Sequence, residues 1–264
     1  MRFYFYILVN YHRYQTSMRY LPFFCCILLC GLSACKKTPS TEPIDPETLD
    51  EVWTKLAIPG QQRGVSAIYG NIDDTLVVAT MYKIYLTTDQ GNSWQLVMDA
   101  GRGISGFARV EGELTALDTF TDGEETARTP FLYSTDHGKA WATEGKFDYR
   151  VYDNIKINRK RVLLTDDLYY RITPGVVLVN ESTGEELARP DEIHRPRDGG
   201  EYAIYFPSAR RMNCLYLDDN QRLYVGTEGT RFVWSIAGNT RTFPTHTDLA
   251  FIYISRKPVE VNDL

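Results

Sequence analysis

The chain has 264 residues, 43% hydrophobic and 24% charged, which is enough apolar material to bury a sizeable core and too much for a disordered tail. Net charge is −5, yet the first 34 residues hold Arg2, Arg13 and Arg19 and no acid, so the remainder carries 26 basic against 34 acidic residues. That balance disfavours a phosphate-backbone partner, and no nucleic acid is expected.

Aromatic residues make up 13% of the chain, with 18 Tyr against 5 Met, a bias that suits pleated strands and points to an all-β fold. Of five cysteines, Cys25, Cys26, Cys30 and Cys35 share one apolar N-terminal stretch, leaving Cys214 alone in the body. No intrachain disulfide framework is available to the folded part.

In chain order, the first element is an address. Leu21 to Leu32 reads LPFFCCILLCGL, preceded by Arg19 and followed by Ser33-Ala34-Cys35. Twelve residues are too few for a membrane-spanning helix but match a signal-peptide apolar region. Leu32-Ser33-Ala34-Cys35 resembles a bacterial lipobox, and that resemblance implies cleavage before Cys35 and acylation of its thiol. Residues 1–34 are then a signal peptide, with Met18 a more usual start than Met1. Residues 35–50 carry the lipidated Cys and a tether, KKTPSTEPIDPETLD, too poor in apolar side chains to order itself. It spans about 40 Å when extended at roughly 3 Å per residue.

Residues 51–264 contain a repeat. TTDQGNSW at 87–94 and STDHGKAW at 134–141 align Asp89 with Asp136, Gly91 with Gly138 and Trp94 with Trp141, at a period of 47 residues. Asn180 to Leu187 is a decayed third copy and Ser235 to Phe243 a fourth that has lost its Asp. The pattern Ser/Thr-x-Asp-x-Gly-x-x-Trp resembles the Asp-box, or BNR repeat, of sialidase-like and photosystem-assembly-factor-like β-propellers. The resemblance implies blades of four strands, with each box in the turn between the third and fourth. Asp suits such a turn by accepting from backbone amides, and Gly by tolerating positive φ.

Alternating apolar runs place the strands of blade one at 64–69, 75–79, 83–88 and 94–98, and of blade two at 104–110, 114–120, 130–134 and 140–143. Blade three is read at 151–157, 162–165, 176–180 and near Leu187, and blade four at 214–217, 223–226, 232–235 and 240–243. Val52 to Leu56 resembles the strand that carries Trp94, while 249–254 and 259–261 offer two further strands. Joining both ends in one sheet would close a ring of five blades with a thin, composite closing blade; an open or incomplete ring is the alternative.

The turn between strands three and four lies away from the channel mouth, so Asp89, Gly91, Trp94, Asp136, Gly138 and Trp141 read as structural. Arg63, Arg102, Arg150 and Arg211 each precede an expected inner strand. Four arginines facing one mouth would suit an anionic ligand, whereas pairing each with a nearby acid such as Asp99 or Asp148 would merely pin its loop. Residues 189–211 are the one long departure from the repeat and read as a loop bringing His194, Arg195, Arg197, Tyr202, Tyr205 and Phe206 to the same rim.

His12, His137, His194 and His246 lack metal-ligand spacing, and neither a Gly-x-Ser-x-Gly elbow nor a phosphate loop occurs, so no metal, cofactor or catalytic set is assigned. Tyr170-Arg171-Ile172-Thr173-Pro174 faintly resembles a sialidase signature but falls after two boxes rather than before the first. The expectation is a lipid-anchored envelope propeller, on the outer membrane facing the periplasm, that binds a protein or glycan without turning it over. The alternative is a glycan-active hydrolase or lyase using carboxylates such as Glu124, Glu125 or Glu228.

Overall fold

The computed structural model describes residues 50–59, 64–121, 125–175, 177–179, 186–188, 190–197, 199–231 and 249–259. Cys35, Arg63 and the stretches expected to form the signal peptide and most of the tether lie outside them. All the described residues belong to one compact unit, Asp45–Leu264.

The chain enters with β1 (Trp53–Ala57) and then builds blade one from β2 (Val65–Gly70), β3 (Leu76–Thr80), β4 (Lys83–Thr87) and β5 (Gln95–Asp99), paired antiparallel in that order. Burial follows position: every residue of β3, LVVAT, is buried, whereas no residue of the outermost β5 is. A strand covered on both faces has to be apolar throughout, and an outer edge does not.

Blade two contains β6 (Gly106–Val110), β7 (Glu113–Thr121), β8 (Thr126–Ser134) and β9 (Lys156–Asn158). Blade three contains β10 (Arg161–Leu163) and β11 (Tyr169–Thr173). After a separate hairpin of β12 (Val177–Val179) and β13 (Glu186–Ala188), it is completed by β14 (Glu192–Arg197) and β15 (Gly200–Ala203). Blade four is β16 (Arg210–Leu217), β17 (Leu223–Arg231), β18 (Phe251–Ser255) and, as its outermost strand, β1. The fold is thus all-β, a propeller of four-stranded antiparallel blades, four of them among the described residues.

The two ends of the chain meet in one sheet, with Trp53 opposite Ser255 and Ala57 opposite Phe251. Among the described residues there are four such blades rather than five, because 251–255 takes the third place in blade four instead of founding a new sheet. The strands expected at 232–235 and 240–243 lie outside the described residues.

Blade three also differs from expectation. The segment 156–158 is the last strand of blade two, not the first of blade three, and 189–211 supplies β14 and β15 rather than a loop. The expected third box falls on the β12–β13 hairpin, outside the four-stranded sheet, and its residues 180–185 lie outside the described residues. A six-residue strand reading EIHRPR shows almost no apolar alternation, because only Ile193 points into a core.

The two Asp-Gly-Trp turns have one geometry. The Thr87 hydroxyl donates to Asp89 Oδ1 at 2.8 Å and accepts from Gly91 N–H at 3.0 Å, and Ser93 N–H donates to Asp89 Oδ1 at 2.9 Å. Ser134, Asp136, Gly138 and Ala140 repeat those contacts at 2.8, 2.8 and 2.9 Å. Hydrogen bonds from the Ser93 hydroxyl and amide and from Thr87 hold the Asp89 carboxyl below its usual range. At Asp136 burial opposes ionisation, but donors from Ala140, Ser134 and Lys139 outweigh it and the carboxyl is again lowered.

Three apolar clusters fill the seams between blades. One joins Tyr170, Ile172 and Ile193 of blade three to Trp53, Leu215 and Val225 of blade four. A second joins Tyr224 and Ile252 to Val65 and Leu76 of blade one, and a third joins Val77 and Ile84 to Phe107 and Leu114 of blade two. The first strand of each blade lies at the centre, and β2 lies against both β6 and β16.

Candidate ligand-binding site

At the centre of the ring, on the side of the connections that enter each first strand, is a cavity of about 530 Å³ lined from all four blades. Blades one and four approach closely there. Gly64 bridges Glu228, and a Cβ on Gly64 would lie 2.3 Å from Asn213 Nδ2. A side chain there would have to displace the Asn213 amide and crowd the Glu228 backbone.

The charged lining comes from successive connections. Arg159 and Lys160 lead into β10, Asp191 precedes β14, and Arg211 is the second residue of β16. Asp118 lies on β7 and Glu228 on β17. Among the described residues the mouth therefore carries three acids and three bases, a mixed lining rather than one of arginines alone.

Arg159 touches every other blade. Its N–H donates to Glu125 O and its carbonyl accepts from Leu215 N–H, both at 2.7 Å, while its guanidinium reaches Ser66 O at 3.4 Å. The residue is only 7% exposed. A cation in so dry a place costs solvation and is kept only where its contacts repay it.

Asp191 is equally enclosed. Its Oδ1 accepts from Gly175 N–H and its Oδ2 from Met212 N–H, each at 2.8 Å, and Arg211 Nη1 stands 3.6 Å from it. One carboxylate thus ties the end of blade three's second strand to the first strand of blade four and steadies Arg211 beside the cavity. Asp118 pairs through Oδ2 with Arg102, while its buried Oδ1 has no hydrogen-bond partner among the described residues. Such an oxygen costs roughly 1–3 kcal/mol unless a donor reaches it.

Of the residues expected at the rim, Arg211 lines the cavity. Arg102 stands at its edge, exposed, paired with Asp118 and 5.2 Å from the Phe131 ring centre. Arg63 lies outside the described residues. Arg150 is not at the mouth, because β10 begins ten residues later than the expected strand; it sits on a turn of 3-10 helix, Tyr149–Val151, beside the outer part of blade two. Arg159 and Lys160 occupy the corresponding slot, and the run Asn158-Arg159-Lys160-Arg161 ahead of Val162 was the sequence signal for them.

His194 and Tyr202 are on β14 and β15, in the outer half of blade three, and do not line the cavity. His194 Nε2 lies 2.9 Å from Glu192 Oε2 and its Nδ1 4.0 Å from Glu201. Glu201 accepts from Arg171 Nε at 2.9 Å and from the Tyr169 hydroxyl, which holds its carboxyl down at about 2. Tyr202 is half exposed, with Arg197 6.0 Å from its ring centre. Among the described residues no group of three or more His, Cys, Asp or Glu side chains is arranged to hold a metal ion.

No protein-family model matches the chain, and no curated protein does. Among solved structures it is similar to YCF48 from Cyanidioschyzon merolae, with a TM-score of 0.26 and 13% identity over 73% of this chain and 74% of that one. It is similar to the WD40 propeller domain of Doa1, at 0.35 and 8% over 78% and 97%. It is also similar to an endo-arabinase from Bacteroides thetaiotaomicron, at 0.29 and 9% over 79% and 99%. The propeller rests on the strand order described above, and none of these likenesses assigns a function.

Proposed function

We propose that the protein is a lipid-anchored envelope module that holds a protein or glycan ligand at the mouth of its ring without chemically changing it. The observation that carries this reading is the burial of Asp118, Asp191 and Arg159 around a single cavity to which all four blades contribute. Charges withdrawn from water at one place are characteristic of a recognition site. Lys160 and Arg211, on adjoining blades, would receive an anionic group of the ligand.

The anchor rests on the lipobox-like Leu32-Ser33-Ala34-Cys35, and the scaffold on the Asp-box character of the turns at 87–94 and 134–141. Acylated Cys35, with the tether behind it, would keep the domain at an outer-membrane surface within the periplasm. Replacing Cys35 by Ala should move the protein from the membrane fraction to the soluble one.

The binding site is tested by placing a photo-crosslinking residue at Met81, which lines the mouth, in cells that make the full chain. A defined adduct that disappears when Lys160→Glu and Arg211→Glu are combined is expected. An adduct indifferent to that charge reversal, or none at Met81, would remove the mouth as the site.

A further inference from the structure

A second cavity, of about 570 Å³, opens on the outer side of blade two. It exists because the blade's fourth strand is interrupted. Ala142 bridges Tyr133, β9 pairs with Thr126–Arg128, and the chain between them arches away through the 3-10 turn. The cavity is of ordinary ligand-pocket size.

The arch is firmly held. The buried Glu113 carboxylate accepts from the Tyr152 hydroxyl at 2.6 Å and from Lys146 N–H at 2.8 Å, and Phe147 N–H donates to the same hydroxyl at 3.0 Å. Burial, with Glu113 behind it, pushes the Tyr152 hydroxyl up to about 12, so it remains a donor throughout the physiological range. Tyr133 and Tyr152 pack with centroids 5.0 Å apart as the floor. Gly145 allows their approach, since a Cβ there would meet the Tyr152 oxygen at 2.4 Å.

Tyr149 stands at the lip, 65% exposed. It contributes little to the core, yet it is not loose: the Arg150 guanidinium carbon lies 5.6 Å from its ring centre, and Arg150 Nε donates to its hydroxyl at 3.4 Å. Glu144 and Asp153 bring acceptors to the same cleft, and Lys156 brings a donor.

We infer that this cleft is a saccharide site, in which a neutral pyranose ring stacks on Tyr149 and its hydroxyls bond to Glu144, Asp153 and Lys156. The C–H-rich face of a sugar suits the electron-rich face of an aromatic ring. Its hydroxyls both donate and accept, which suits a lining of mixed sign better than an anion or a hydrocarbon would. A peptide strand is a poor occupant. Pro130 has no N–H, Thr129 has φ +69°, and the pairing of β7 with β8 shifts register between Leu132 and Pro130, so the exposed edge is bent and short of donors. Arg150 is a positioning residue for Tyr149.

The test uses the full-length chain in a detergent without a sugar headgroup, with cellobiose, lactose, maltose and chitobiose as probes and saturation-transfer NMR titration as readout. At least one disaccharide should bind. Tyr149→Ala should weaken it by about tenfold or more, and Tyr149→Phe, which keeps the ring, by no more than about threefold. Gly145→Val should abolish binding by forcing apart the Tyr133–Tyr152 floor of the cleft, and Lys160→Glu at the mouth should leave it unchanged. Absence of binding to all four sugars, affinity unaltered in Tyr149→Ala, or loss in Lys160→Glu instead would overturn the assignment.

Discussion

Gly91 is seated against Leu56 of the preceding blade, so closely that a Cβ on the glycine would lie 2.8 Å from Leu56 Cδ1. Gly138 repeats the arrangement one blade on, with Val77 Cγ2 at 2.7 Å. Both glycines have positive φ, +83° and +86°, so alanine at either is strained by its backbone as well as crowded. Gly91→Ala and Gly138→Ala should each cost about 2–4 kcal/mol, read as a drop in urea midpoint. Gly138→Ala should cost more, because the fully buried, β-branched Val77 has less freedom to move than partly buried Leu56. Equal and negligible losses would show that the turns do not lock neighbouring blades.

Those turns were legible in the sequence because their geometry restricts the residue types: an acceptor that can reach back to the amide four residues on, and a glycine where φ is positive. The composite blade was legible too, since Val52 to Leu56 has the composition of an outermost strand. Blade three was not. Its first strand has three residues, too few to show a period, and its third contains His194 and Pro196 where an apolar alternation would be sought. Missing β14 and β15 moved the expected inner strand forward, which put Arg150 in the slot that Arg159 holds and sent His194 and Tyr202 to a rim they do not reach. The unpartnered oxygen of Asp118 had no signal at all, because partnership is a property of packing.

Ring closure depends on Trp53. It is almost wholly buried, its indole N–H donates to Tyr205 O at 3.2 Å, and its ring meets Phe206 edge-on at 5.3 Å. Trp53→Ala should destabilise the fold by about 3–5 kcal/mol. A urea midpoint equal to that of the unaltered chain would mean that β1 is not needed to close the ring.

Acid should weaken blade three through Glu201. Its folded carboxyl titrates at about 2 rather than 4.5, chiefly through the Arg171 hydrogen bond and then that from Tyr169. A lowered folded pKa contributes stability that is present above the unfolded value and lost as pH falls from about 4.5 through about 2. Glu201→Gln should therefore flatten the fall in urea midpoint across that window while changing little of its slope above pH 6. An unaltered acid limb in the variant would assign the acid sensitivity elsewhere.

Cys214 is a buried thiol between blades one and four, with its sulfur 3.9 Å from Val65 O, and burial pushes it up to about 11. A raised folded value means that its contribution is complete below the unfolded pKa near 9 and is lost as pH rises towards 11. At pH 8 an aromatic disulfide reagent should react with it only at the rate at which the ring opens, accelerating with urea. Prompt reaction in the absence of denaturant would place a gap at the seam between blades one and four.

The mouth divides structural from recognition charge. Removing the Asp191 carboxylate by Asp191→Ala leaves the Gly175 and Met212 amides without their acceptor, and should cost about 2–4 kcal/mol. Arg211 is more exposed and its contact with Asp191 is long, so Arg211→Ala should cost less than about 1 kcal/mol. If the arginine were there to hold the fold, the two substitutions would shift the urea midpoint alike. If it is held by Asp191 in order to meet a ligand, Arg211→Ala should leave stability nearly intact while the cross-link at Met81 is lost. That separation of stability from capture is the outcome expected of a charge that the scaffold positions but does not need.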